Sequence, residues 1–428
     1  MTGVLSAEGR VPAEQVSTLE PPRAHREGRV PSSIVVAMQP NRIVRWAFYL
    51  SLFAIPFHGL YIPGTGDKVG VTRLVQLLLI MAIVTQTRAC LRLIPVALMW
   101  FGLYCGLRIG SGFWLSPEWT DRWWPGTFIL VQFFLPWLWF MFNVLQFPGM
   151  GQRAIWALAS GVSLCAFLHL SGIGRVEIDQ GAEGRSGAFG ETANLTGAIY
   201  AAAIIAMVGT AMLKNTSNRG RLIILPLVGL VATGLAMTGS RTAALLTAVG
   251  MLILSFQQTA FVPRVRRYVT LLLIGAMLAG VAYQVPAVAN RFQNITALDS
   301  SKGEARARLY PVLWGMFLRS PWYGTGPDAY QDELTRRAMP HLIGKQKTIT
   351  SHHLYLRLLV ETGIVGALLF MTGLTIALKA AWRAPSGFYG LLSLAMLLPL
   401  ATVGSVFNDP VPNPAYWFVI AFALAGRT

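Results

Sequence analysis

The chain has 428 residues, 54% of them hydrophobic and only 12% charged, with a mean hydropathy of +0.53. A soluble domain is about a quarter charged, so this composition has too little polar surface to wrap such a core in water, and it excludes a soluble globular enzyme. The net charge of +17 could suit nucleic acid, but the basic residues lie between apolar runs, where membrane topology accounts for them.

Residues 1–41 are polar and rich in Pro, Arg, Glu and Ser, with no apolar period. They read as a disordered cytosolic tail. The pattern of a cleaved signal peptide is missing, so the first helix is expected to act as an uncleaved insertion signal. Apolar runs follow at about 43–62, 71–87, 92–109, 126–147, 154–171, 195–213, 222–238, 241–257, 268–285, 353–378, 387–406 and 415–426. Most approach the roughly 17–25 residues that cross a bilayer as helix, and the last is the shortest. They are continuous rather than alternating, which argues against an outer-membrane barrel. The expected fold is an all-α polytopic membrane protein of about twelve transmembrane helices. Helices 1–9 fall in 42–285, a large outer loop in 286–352, and helices 10–12 in 353–428. No internal repeat of the inverted-transporter kind is visible. Cys90, Cys105 and Cys165 fall in or beside apolar runs without metal-type spacing and read as packing residues.

Orientation follows from Lys and Arg. With the N-terminus inside, the inner connections hold Arg88 and Arg92; Arg153; Lys214, Arg219 and Arg221; Arg264, Arg266 and Arg267; and Lys379 and Arg383. The short outer connections hold few: Lys68, Arg122, Arg175, Arg185 and Arg241 at an edge. Both termini are therefore expected in the cytosol. The outer segment 286–352 is far longer than the usual connection of about 2–8 residues between bundled helices. Glu304 to Leu318 has helical potential, and Pro321, Gly324, Gly326 and Pro327 then punctuate the chain. A partly helical extracytoplasmic subdomain over the bundle is expected.

The residues able to do chemistry collect on that outer face. Arg185 precedes the sixth span, Arg241 lies where the seventh turns into the eighth, and Arg306 and Arg308 lie in the large loop. His352 and His353 cap the tenth span. Arginine's planar fork suits phosphate oxygens, and helix N-termini on this side favour anions. Imidazole suits proton transfer near neutral pH. The set reads as a site for a phosphorylated ligand. The bland readings are headgroup or loop-packing arginines and a structural histidine. Chemistry alone does not choose between Arg306 and Arg308. A metal held by the two histidines with His341 or Asp328 lacks tight spacing, so no metal site is expected. Glu361 is the one carboxylate deep inside a span, and Arg357 lies one helical turn before it. A structural ion pair is the favoured reading and a catalytic carboxylate the alternative.

The run His352-x-x-x-Leu356-x-x-Leu359-x-Glu361-x-Gly363-x-x-Gly366 resembles the signature of bacterial O-antigen ligases and their polymerase relatives. In that signature an asparagine usually follows the histidine, and here His353 takes its place. Register makes His352 the counterpart of the family histidine. Thr238-Gly239-Ser240-Arg241 resembles the family's second signature. Arg185 with Phe189 and Asn194 resembles the arginine loop before it. Arg306 through Pro321 to Gly324-Thr325-Gly326-Pro327 resembles the outer-loop arginine, proline and Gly-x-Gly, with Arg306 fitting the spacing better than Arg308 and Tyr310 standing where tryptophan is common.

The resemblance implies a metal-independent, inverting glycosyltransferase that needs no cofactor and sits in the bacterial inner membrane. Its donor would be a glycan on undecaprenyl pyrophosphate at the periplasmic face. Its acceptor would be the lipid A core in a ligase, or a second lipid-linked repeat unit in a polymerase. The motif set and helix plan lean towards the ligase branch. His352 would be the catalytic residue and Arg185, Arg241 and Arg306 the pyrophosphate ligands, with His353, Arg308, Glu361 and Arg357 in support. A transporter or flippase is the competing class. It would place its titratable groups at mid-membrane, whereas here they crowd one face.

Overall fold

Inside a bilayer every backbone N–H and C=O must be paired within the protein, and a helix achieves this within one segment. The computed structural model describes residues 39–60, 70–115, 137–177, 186–212, 216–255, 275, 300–327, 329–330, 333, 354–384, 390–402 and 414–426. These are almost entirely helical. The helices are α1 (Arg42–Phe53), α2 (Val71–Thr85), α3 (Val96–Leu115), α4 (Met150–Leu170), α5 (Ala193–Ala211), α6 (Asn218–Thr238), α7 (Arg241–Ser255), α8 (Ser300–Arg319), α9 (Leu354–Trp382), α10 (Gly390–Thr402) and α11 (Pro414–Ala425). Residues 137–145 are helical as well. One small antiparallel hairpin pairs β1 (Arg175–Glu177) with β2 (Ser186–Ala188), Val176 opposite Gly187.

Among the described residues, α4, α5, α6 and α9 are long and apolar enough to cross a membrane, and α7, α10 and α11 are shorter apolar helices. An all-α membrane protein is what these helices make. The expected span at 268–285 lies outside the described residues except for position 275. Three expected spans differ, the first because its α-helix ends at Phe53 rather than near 62 and a 3-10 turn, Ile55–Phe57, follows. The third span begins at Val96, just after Pro95, rather than at 92, and runs to Leu115. The tenth is broken at Gly363, which stands at φ 64°, ψ −168° inside α9. The shortest expected span proves deeply placed, since every residue of α11 is buried.

Small residues let the helices approach closely, as membrane packing favours. In α5, Gly197 lies against Ala243 of α7, and Gly209 lies against Leu392 of α10. Gly234 of α6 lies against Tyr200, and Gly250 of α7 against Ile205. Gly161 of α4 abuts the backbone of Phe53 in α1, and Gly373 of α9 abuts the ring of Phe101 in α3. Aromatic rings fill the space around α11: Phe101 meets Trp417 at 5.0 Å and Phe370 at 5.5 Å.

These contacts fix which helix ends lie together. Cys165 and His169, late in α4, meet Tyr200, early in α5. Thr238, at the end of α6, and Ala243, at the start of α7, both meet Gly197. Leu392 starts α10 beside the far end of α5, so the end of α10 returns to the near end. There the Tyr355 hydroxyl donates to the Ala401 carbonyl. The starts of α5, α7 and α9 and the ends of α4, α6 and α10 therefore share one end of the bundle.

Candidate functional site

Two junctions of loop backbone build that end of the bundle. The first joins the segment after β2 to the turn between α6 and α7. Gly239 closes α6 in the left-handed region at φ 56°, where a side chain is disfavoured. The Ser240 hydroxyl donates to Asn194 Oδ1 at 3.1 Å and accepts from the Ala243 N–H, capping the start of α7. A Cβ on Gly197 would collide with Ala243 and crowd Thr238 and Ser240. Asn194 and Ser240, far apart in the chain, thus belong to one polar turn. Arg241 is the first residue of α7 and is exposed there.

The hairpin segment is held just as firmly. His169 Nε2 and Ser186 Oγ lie 2.8 Å apart, and the Ala188 N–H donates to Thr196 Oγ1 at 3.1 Å. Phe189 adopts φ 50° and meets Phe57 edge-on at 5.0 Å. A Cβ on Gly187 would strike the Glu191 carbonyl. Burial pushes the Glu191 carboxyl up to about 7, so at neutral pH it opposes an anion nearby less than an ordinary carboxylate does.

The second junction clamps the residues after α8 onto the break in α9. A helix interrupted at Gly363 frees carbonyls on one side and N–H groups on the other. The chain at 320–327 supplies their partners. The Thr325 N–H and hydroxyl both donate to the Val360 carbonyl, at 2.7 and 3.0 Å, and the Gly326 N–H donates to the Glu361 carbonyl at 3.1 Å. In return Ile364 and Val365 donate to the carbonyls of Pro321 and Trp322, at 2.8 and 3.2 Å. Gly324 stands at φ 74°, and a Cβ there would collide with the backbone of Glu361 and Thr362. A Cβ on Gly363 would collide with Trp322 and Tyr323. The described part of the large loop therefore docks alongside α9. A small apolar cluster, with Leu309, Leu313, Met316, Phe317, Tyr330 and Val360 at its centre, seals the contact.

Just before the break lies a buried triad. Arg357 Nε donates to Glu361 Oε1 at 2.7 Å, and Arg108 Nη2 of α3 lies 3.3 Å from Glu361 Oε2. The three side chains are only 9%, 5% and 2% exposed, in the order Arg357, Arg108, Glu361. Arg357 also lies over the Tyr330 ring, 5.4 Å from its centre. Two guanidinium groups share one carboxylate in low dielectric, which holds α3, α9 and the loop segment together and favours an anion near them.

Of the residues singled out in the sequence, Arg241, Arg357 and Glu361 are placed, and Arg357 and Glu361 form the favoured ion pair. Arg306 and Arg308 lie on α8. Arg185, His352 and His353 lie outside the described residues. Sequence reading missed Arg108, which looks like the polar end of an apolar run, and the His169–Ser186 contact. In both cases the partner is set by folding, although an arginine inside a membrane span is in itself a signal.

Residues 226–371 match the family model for O-antigen ligase. The resemblance read from the motifs is borne out over this stretch, which holds the Arg241 turn, α8, the Gly324–Gly326 segment and the broken half of α9. The match is a likeness to the O-antigen ligase family over that stretch of the chain. No curated protein matches the chain.

Proposed function

We propose that the protein transfers a glycan from undecaprenyl pyrophosphate to a lipid A-core acceptor, with inversion, at the periplasmic face of the inner membrane. The observation that carries the reading is the family match over 226–371, which holds the second junction and the Ser240 side of the first. The helix ends at the end of the bundle opposite the junctions hold Arg42, Arg45, Arg153, Arg219, Arg221, Lys379 and Arg383. By the positive-inside rule that end is cytosolic and the junctions are periplasmic.

His352 takes the proton of the acceptor hydroxyl as its oxygen attacks the anomeric carbon. The bond from that carbon to the phosphate oxygen breaks, and undecaprenyl pyrophosphate leaves with the electron pair. Arg185, Arg241 and Arg306 hold the pyrophosphate and stabilise the charge growing on it. Arg241 suits this role by opening α7, where the positive end of the helix dipole adds to its charge. The Arg108–Glu361–Arg357 triad keeps α9 and the loop segment in register beneath the site.

The test is transfer from a synthetic lipid-linked donor by purified protein without any ion gradient. His352→Ala should lower the rate by at least about 10²-fold, with membrane insertion checked independently. Activity near wild type removes His352 from the mechanism. Arg241→Lys keeps charge but loses the fork, and wild-type behaviour would rule out bidentate phosphate binding there. Supplying lipid A core or a second lipid-linked unit as acceptor separates ligase from polymerase.

A further inference from the structure

A second basic constellation sits at the other end of the bundle, away from the junctions. A groove of about 760 Å³ runs between α1 and α4. Arg42 and Arg45, three residues apart on one face of α1, line its end together with Arg153 of α4. Among the described residues, no acidic one lines it. Three guanidinium groups lining one groove repel one another, and an anion held among them relieves that cost.

Beyond the arginines the groove lining is mostly apolar, with Tyr49 and Ser160 as its polar members. Leu50, Phe53 and Ala157 continue it along the helices. From Arg45 to Phe53 the rise is roughly 12 Å along the helix axis, enough for the upper part of an acyl chain. Trp46 and Trp156 flank the boundary between the two zones, as amphipathic rings do at headgroup level. Trp46 is 64% exposed and Leu50 41%, so the groove opens sideways onto the surface that faces lipid. A free phosphate would satisfy only the basic end. A phospholipid satisfies both ends at once.

We propose that the groove between α1 and α4 binds one anionic phospholipid, its phosphate on Arg42, Arg45 and Arg153 and an acyl chain along Leu50, Phe53 and Ala157. The site lies at the end of the bundle opposite Arg241 and Tyr355, and its ligand is a bulk membrane lipid rather than donor or acceptor. It does not depend on the transferase reading.

The experiment is native mass spectrometry of the delipidated full chain in mild detergent, titrated with phosphatidylglycerol or phosphatidylcholine. One phosphatidylglycerol per chain should bind at least about tenfold more tightly than phosphatidylcholine. The triple change Arg42→Gln, Arg45→Gln and Arg153→Gln should remove the preference, and the corresponding triple Lys variant should keep most of it. Ala157→Trp leaves all three arginines, and so the topology signals, in place and should still weaken binding by filling the apolar zone. Equal affinity for the two lipids overturns the proposal. So does an unaltered preference in the triple Gln protein, or an unaltered phosphatidylglycerol affinity in the Ala157→Trp protein. Displacement of the lipid by millimolar inorganic phosphate would instead mark a free-anion site, and a lipid-free dimer would mark a protein interface. Either result overturns the assignment.

Discussion

Glu361 shows what a single residue can and cannot announce. Its four-residue spacing from Arg357 is visible in the sequence and predicts the pair that forms. Arg108 is remote in sequence and reaches the same carboxylate only because α3 runs antiparallel to α9, with Phe101 beside Gly373 and Leu107 beside Gly366. Removing the shared carboxylate leaves two buried cations facing each other. Glu361→Ala should cost about 3–5 kcal/mol, read as a lower thermal midpoint or a loss of accumulated protein. Replacing the whole triad with Arg108→Met, Arg357→Met and Glu361→Leu should recover most of that stability. Transfer activity in this folded triple variant separates the two readings of Glu361: activity retained means a structural role, and activity lost means that the charges serve the site.

At the scale of elements, the break in α9 is the feature that organises the site. Gly363-x-x-Gly366 is legible as a motif, but an apolar run containing glycine gives no sign that the helix stops there, because membrane helices tolerate glycine. The break exists because the chain at 320–327 supplies donors and acceptors for the freed backbone groups. Gly363 occupies a backbone region essentially closed to other residues. Gly363→Ala and Gly324→Ala should each destabilise by more than about 2 kcal/mol. Combined, they should cost less than the sum, because both undo one junction. Strict additivity in a double-mutant cycle would show that the clamp is not a unit. The Asn194–Ser240 turn follows the same logic. Both residues stand within motifs, while their hydrogen bond appears only once α5 and α6 pack.

For the whole molecule the orientation is open to direct measurement. With Cys90, Cys105 and Cys165 replaced, Ile173→Cys lies in the turn between α4 and β1 and is exposed. It should react with a membrane-impermeant maleimide in intact spheroplasts. Gln152→Cys, exposed at the start of α4, should react only after lysis. The reverse pattern would invert the protein and remove the periplasmic site.

Sequence alone determined that this chain is a bundle of apolar helices, which end is basic, and which short motifs hold arginine and histidine. Those properties are local: hydropathy is read within one span, and the charge bias within one connection. Tertiary structure alone decided that Arg108 completes the Glu361 triad, that α9 breaks at Gly363, and that the shortest apolar run, α11, is buried throughout. Each of these depends on a partner distant in the chain. Backbone carbonyls and N–H groups, identical at every position, do much of the joining and leave no mark in the order of side chains. What the glycines do record is where a neighbour comes too close for a Cβ, although the neighbour's identity appears only in the fold.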